Sequence, residues 1–278
     1  MISLQVLFQE YSKKLQSIYS KQEAESLVFW LFEEFLGKKR MDILKNDTLE
    51  KIPSDLSLAI EKLVEGMPIQ YIFGKAPFYG REFEVSPAVL IPRNETEELV
   101  HLIIKENPIE GLRILDIGTG SGCIPITLDL EMNAPVLFGI DISEEALEIA
   151  QRNALLLQSK IEFSQLDILK DDLSFKDMDI IVSNPPYVRH SEKELMHTNV
   201  LAHEPHLALF VYDDDPLLFY RIISQKAKIS LKPGGKLYFE INEALGIEII
   251  NLLNDEGYKE VKLLTDLNNR DRFIAAVF

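Results

Sequence analysis

Apolar residues recur at every third or fourth position along the first quarter of the chain, and beyond it they gather into short runs separated by helical stretches. From Gln5 to about Gly66 the spacing is helical, with no strand-like alternation. In "EAESLVFWLFEEFLG" it groups Leu27, Trp30, Leu31 and Phe35 as one stripe, expected to face a core. Gly37 and Pro53 punctuate the segment, and Ser54 is placed to cap the helix running through "LSLAIEKLVEG". Residues 1–66 thus read as a small helical bundle. In residues 67–92, Tyr71, Phe73, Phe78, Tyr79, Phe83 and Val85 favour strands and Gly74 to Pro77 breaks them, so a β-hairpin linker is expected. Asn94 with Glu97 has the form of a capping box opening "ETEELVHLIIKEN".

From Gly111 the pattern alternates between two periods. "RILDIG", "VLFGIDI", "IEFSQLDI", "DIIVSN" and "GKLYFEI" read as strands. Between and after them lie helices: "IPITLDLE", "SEEALEIAQRNALLLQ" with Ser143 as cap, "PLLFYRIISQKAKIS" and "EALGIEIINLLNDEG". This alternation implies a parallel, doubly wound sheet. The last two runs, "YKEVKLLTDL" and "DRFIAAVF", are joined by a short Asn268-Asn269 connection that implies an antiparallel hairpin at the sheet edge. Residues 93–278 are therefore expected to form an α/β domain, Rossmann-like and seven-stranded, following the small N-terminal helical domain.

Totals narrow the partners. At 278 residues, 46% hydrophobic and 27% charged, the chain has the balance of an ordinary globular protein. Its first residues lack a basic segment followed by an apolar core and a cleavage site, and no apolar run reaches spanning length, so a soluble cytoplasmic protein without membrane contact is expected. The formal net charge is −16, of which −14 falls after residue 90. That sign opposes a duplex-gripping surface, which depends on Lys and Arg, and no direct nucleic-acid partner is expected. Cys123 stands alone, which excludes an internal disulfide and a multi-cysteine metal site.

Candidate chemistry collects at strand ends. "ILDIGTGSG" sets Asp116 ahead of Gly118, Thr119, Gly120, Ser121 and Gly122 at a strand-to-helix turn, where glycines permit a tight turn and close backbone approach to a ligand. The third glycine arrives one residue early for a dinucleotide fingerprint. An acid before the loop repels pyrophosphate but suits a cationic amino group, which points to S-adenosylmethionine. Asp141, with Ile142 after it, ends the second strand and can accept both ribose hydroxyls; Asp167 and Ile168 are placed to border an adenine.

The β-branched run Ile180, Ile181, Val182 ends abruptly in Asn184-Pro185-Pro186-Tyr187, because prolines cannot donate to a sheet ladder. That edge is where open α/β sheets bind ligands. A planar nitrogen is a poor nucleophile, since its lone pair is delocalised. The Asn184 side-chain oxygen and the Pro185 carbonyl can hold its N–H bonds, the rigid prolines limit motion, and Tyr187 can pack on the planar group.

The glycine loop, the second-strand acid and "NPPY" together resemble a class I S-adenosylmethionine-dependent methyltransferase acting on a planar nitrogen. More narrowly, "PIQYIFG", "FEVSPAVLIPRNETEELV", "ILDIGTGSG", "DIIVSNPPYV", "EPHLAL" and "DLNNRDRFIAAVF" resemble, in order, the HemK/PrmC family of peptide chain release factor glutamine methyltransferases. The resemblance implies methyl transfer from S-adenosylmethionine to the glutamine amide of the Gly-Gly-Gln motif in release factors 1 and 2, yielding S-adenosylhomocysteine. It implies that Gly118 to Gly122 and Asp141 bind the cofactor and that Asn184 to Tyr187 hold the glutamine. It also implies that Arg93 and Glu204 help form the site and that residues 1–66 dock the release factor. The chain departs from the family at Asn94-Glu95, where Pro-Asp is more usual.

Other readings are set against this one. An adenine amino-methyltransferase of nucleic acids shares "NPPY", a nicotinamide-dependent dehydrogenase shares the sheet, and a non-catalytic module would keep only the fold. His190, His197, His203 and His206 crowd one stretch at spacings that fit no usual metal-ligand pattern, so no metal is expected. Asp213, Asp214 and Asp215 before Pro216 read as an N-cap with favourable dipole charge, and Cys123 as a packed residue.

Overall fold

The computed structural model describes residues 1–196 and 198–278. Two compact units emerge: residues 1–74 with the short helix Thr198–His203, and residues 75–196 with 204–278. The expected division at 66 and 92 differs from this, because the hairpin belongs to the second unit and the stretch before it to the first.

The first unit is helical. Helices Leu4–Leu15, Lys21–Leu36 and Ser54–Val64 surround a core that includes Leu7, Leu15, Leu31, Phe32, Leu56 and Ile60. Lys21–Leu36 buries Ala24, Leu27, Val28, Leu31 and Phe32, a stripe shifted from the expected one. Trp30 stands roughly 130° around the helix from the middle of that face and is 51% exposed. Ser3 and Ser20 cap the first two helices through their hydroxyls, whereas Ser54 lies inside the third, after Pro53 at the cap position. Ile2–Ser3 pairs with Thr48–Leu49 in a two-residue bridge that the helical spacing hid. Tyr71 and Phe73 are helical, in Ile69–Phe73, because Pro68 starts the turn and Gly74 ends it at φ 69°, overriding their strand preference. Helix Thr198–His203 joins this unit through Asn199 Nδ2 donating to the Tyr19 hydroxyl at 3.2 Å.

The second unit opens with a hairpin, Lys75–Phe78 and Arg81–Glu84, turning at Tyr79-Gly80 with positive φ at both residues. Pro77 sits inside a strand because a two-stranded ribbon has an open edge on which no N–H is required. The helix Asn94–Glu106 that follows has no side-chain cap; Glu97 instead accepts the Tyr79 backbone N–H at 2.7 Å, which anchors the hairpin turn.

The sheet then forms from β1 (Arg113–Ile117), β2 (Val136–Asp141), β3 (Ile161–Gln165), β4 (Met178–Ser183), β5 (Leu231–Glu240), β6 (Lys259–Thr265) and β7 (Asp271–Val277). Its order is β6-β7-β5-β4-β1-β2-β3, parallel except for β7, which runs antiparallel to both neighbours. Alternate residues feed two cores. Ile114 and Ile180 pack with Leu99 and Ile124 on one face; Leu115 and Ile181 pack with Ile223 and Ile249 on the other. Each fully buried aliphatic side chain contributes about 1.5–3 kcal/mol, so both helical layers are held by sheet burial.

Register decides the rest. Ile117 pairs with Ile140 and with Ser183, and Ser183 pairs with Phe239. The residues that follow, Gly118, Asp141, Asn184 and Glu240, consequently stand at one level of the sheet's carboxyl edge. Asn153 on helix Glu144–Leu156 ties the hairpin to this edge: it accepts the Glu84 N–H at 2.6 Å and donates to the Glu84 and Ser121 carbonyls at 3.0 and 2.9 Å. Replacing it strands three backbone groups at a buried position. Asn153→Ala is expected to destabilise the protein by on the order of 3 kcal/mol in urea unfolding; a loss below about 0.5 kcal/mol would contradict the anchoring role.

Candidate active site

The carboxyl edge of β1, β2 and β4 opens on a cavity of about 390 Å³. Gly118 and Thr119 donate their N–H groups to the Ile140 carbonyl at 2.8 and 2.9 Å, which folds the glycine loop back over β2. Gly118 and Gly120 have φ of 78° and 53°, and a Cβ on either would meet nothing within 4 Å. Gly122 serves packing instead, since a Cβ there would lie 3.0 Å from Ile126. Of the loop, Gly118 to Ser121 line the cavity and Gly122 does not.

Asp141 also lines it, and each of its oxygens accepts one backbone N–H, from Gly120 and from Ser143, both at 2.9 Å. Burial raises its pKa, while those N–H groups pull the other way. Ile142, Asp167 and Ile168 complete that wall. Asp167 lies beyond the end of β3 and pairs with Lys170 at 2.9 Å, which holds its carboxyl below the usual range.

Asp116 differs from expectation. It is fully buried and is not part of the cavity wall, and neither carboxylate oxygen has a partner at full hydrogen-bond geometry, the Thr119 hydroxyl acting on it short of that geometry. Burial pushes its pKa up to about 7, with Thr119 lowering it and the Asp141 charge adding to the rise. An acid with unmet acceptors ahead of a loop of backbone N–H groups favours a cationic or amino-bearing ligand there.

Opposite the loop, Asn184, Pro185 and Pro186 line the same cavity. Ser183 donates to the Ile117 carbonyl at 2.7 Å, locking the end of β4 to the start of the glycine loop. Tyr187 is turned away from the cavity wall: its hydroxyl donates to Glu240 at 3.1 Å, and Asn242 donates to its carbonyl at 3.1 Å. Burial and the nearby Glu240 charge raise the Tyr187 pKa well above its ordinary value. Arg93 lines the cavity and donates to Glu204 at 2.6 Å; Glu204, fully enclosed, also accepts the Ile91 N–H at 3.3 Å and stands behind the wall.

Sequence patterns missed Thr96 and Glu240. Asn184 Nδ2 donates to the Thr96 hydroxyl at 3.3 Å, which donates to Glu240 at 2.7 Å. Burial raises the pKa of Glu240, while Thr96, Tyr187 and the Arg272 charge hold it down. The available signal was a charged residue ending the apolar run Leu237, Tyr238 and Phe239 of β5.

The remaining candidates lie elsewhere. His190 stacks on Phe210 at 5.4 Å, His206 meets the same ring edge-on at 5.2 Å, and His203 contacts the Glu65 carbonyl; His197 lies outside the described residues. Asp213 accepts the N–H and the hydroxyl of Ser191 and Asp215 pairs with Arg221, and helix Leu218–Ser230 starts with no side-chain cap. Cys123 lines the cavity, and burial pushes its thiol up to about 12, which keeps it protonated at neutral pH. Among the described residues no helix is long and apolar enough to cross a membrane.

Residues 95–209 match the methyltransferase small domain. The chain is 45% identical, over 97% of its length and 97% of the relative's, to a release factor glutamine methyltransferase of Flavobacterium psychrophilum. It is 46% identical, over 95% of its length and 96% of the relative's, to one of Bacteroides thetaiotaomicron. Among solved structures, a methyltransferase from Pyrococcus furiosus aligns with a TM-score of 0.53 at 18% identity, covering 80% of this chain and 98% of that one. The fold is that of a class I S-adenosylmethionine-dependent methyltransferase.

The raised pKa of Asp116 has a pH signature. Stability is retained below its unfolded-state value and lost as pH rises through about 7, because the ionised form is disfavoured in the fold. Asp116→Asn removes that loss. In thermal melts the variant is expected to gain on the unaltered chain between pH 5 and pH 8, and a difference independent of pH would contradict the assignment.

Proposed function

The chain belongs to the family of release factor glutamine methyltransferases, and on that premise we propose that it methylates the side-chain amide nitrogen of the glutamine in the Gly-Gly-Gln loop of release factors 1 and 2. The methyl donor is S-adenosylmethionine and the product S-adenosylhomocysteine. One observation carries the reading: Gly118 to Ser121 and Asp141 share a cavity with Asn184, Pro185 and Pro186.

The residues fit the donor. The space over Gly118 and Gly120 lets a ligand approach backbone, and each Asp141 oxygen, bonded to one N–H, keeps a lone pair for a ribose hydroxyl. Asp116 biases the loop towards the amino group, and Ile142 and Ile168 offer apolar walls to the adenine. When bound, the donor supplies an electrophilic methyl carbon on a sulfonium.

The chain's own work is positioning. An amide nitrogen lends its lone pair to the carbonyl and attacks weakly. Asn184 Oδ1 and the Pro185 carbonyl accept its N–H bonds and orient the remaining electron density towards the methyl carbon; the C–N bond would form as the methyl–sulfur bond breaks to leave a thioether, and the surplus proton on nitrogen would pass to water. Pro185 and Pro186 keep those acceptors from relaxing. Arg93, braced by Glu204, adds a donor for the carbonyls of the acceptor loop. We assign release-factor docking to the helical unit built on residues 1–66, and the activity to the cytoplasm, where translation ends.

The test is transfer from labelled S-adenosylmethionine to a purified release factor, beside a Gly-Gly-Ala version of its loop and an equal mass of duplex DNA. Label on the unaltered factor alone is expected; label on DNA would replace the substrate with an adenine. Asn184→Ala is expected to lower turnover by on the order of 10²–10³-fold with donor affinity nearly intact, and unchanged turnover would remove the positioning mechanism.

A further inference from the structure

Glu240 closes β5 at the level where Asn184 leaves β4, and its carboxylate accepts two hydroxyls, from Thr96 at 2.7 Å and from Tyr187 at 3.1 Å. A hydroxyl has one proton, and each of these two gives its own to Glu240. The Thr96 proton is therefore committed to Glu240, and the Thr96 oxygen offers only lone pairs. The Asn184 amide, 3.3 Å away, can face that oxygen only with its NH₂. Its other end, Oδ1, is then the end left for the cavity that Asn184 lines.

We propose that Thr96 and Glu240 are positioning residues that fix the orientation of the Asn184 amide, so that the cavity presents an acceptor and takes a carboxamide in preference to a carboxylate. The proposal rests on the glutamine reading above and adds the source of its selectivity. A glutamine side chain brings N–H donors to Oδ1, whereas a glutamate brings only acceptors. Thr96 lines the cavity beside Asn184, and Glu240 behind it is buried and off the cavity wall, so the chain of donors is closed at its Glu240 end. Were the chain of donors broken, Asn184 could turn over and offer Nδ2, a donor suited to a carboxylate.

The experiment compares the full chain with Thr96→Ser, Thr96→Val and Glu240→Gln. It reads kcat on a release factor, donor affinity by calorimetry, and inhibition by synthetic peptides carrying Gly-Gly-Gln or Gly-Gly-Glu. Thr96→Ser keeps the hydroxyl and is expected to retain activity. Thr96→Val and Glu240→Gln are expected to lose on the order of 10²-fold in kcat, with donor affinity held and the inhibition ratio shifted at least about tenfold towards the glutamate peptide. Glu240→Gln preserves volume and carries the test if Thr96→Val does not fold by circular dichroism. Variants that match the unaltered chain in kcat and peptide ratio overturn the proposal, as does a loss of kcat with the ratio unmoved or one that Thr96→Ser shares. If the unaltered chain leaves the release factor unlabelled, the glutamine reading fails first and the proposal falls with it.

Discussion

Parallel pairing of β2, β1, β4 and β5 brings Asp141, Gly118, Asn184 and Glu240 to one level of the sheet's carboxyl edge, and the site is assembled by that register. None of the four lies near the next in sequence; each is the residue after, or the last residue of, a strand whose neighbours set where it ends. A slip of one residue between β1 and β4 would invert both faces of β4, putting Ile180 and Ile181 in the wrong cores. Burial of those side chains therefore holds the glycine loop against Asn184, with the Ser183 hydroxyl on the Ile117 carbonyl as a local lock.

The same edge concentrates polar groups where they are expensive. Unmet buried polar groups cost about 1–3 kcal/mol each, against a total stability of roughly 5–15 kcal/mol, and Asp116 leaves two carboxylate oxygens without partners at full hydrogen-bond geometry. Glu240 is satisfied by two hydroxyls and offset by Arg272, so its burial is held within a closed network. Asp116 is left as an acid whose ionised form the fold disfavours, whereas Glu240 sits among hydroxyl partners.

Much of this was legible in the chain. The seven strands, the terminal hairpin, the glycine loop and the proline stop after Val182 are written in local periodicity and in residues with special backbone limits. Features set by long-range contacts were less so. Trp30 shares a helical spacing with Leu27 yet faces outward, because a whole stripe, not a pair of apolar residues, chooses the buried face. Tyr71 and Phe73 fold as a helix because Pro68 and Gly74 bracket them. Glu97 looked like a capping acid and instead holds the hairpin turn. Tyr187, read as a platform for the acceptor, also donates its hydroxyl to Glu240, a partner no local pattern announces. Thr96 and Glu240 are separated by 144 positions, and no local pattern joins them.

The most direct measurement is a crystal structure of the chain with S-adenosylhomocysteine and a peptide bearing Gly-Gly-Gln. The expected result has the glutamine amide nitrogen within hydrogen-bond distance of Asn184 Oδ1 and the Pro185 carbonyl, with Asn184 Nδ2 still on Thr96. A glutamine bound away from Asn184, or an Asn184 whose nitrogen faces the peptide, would contradict it.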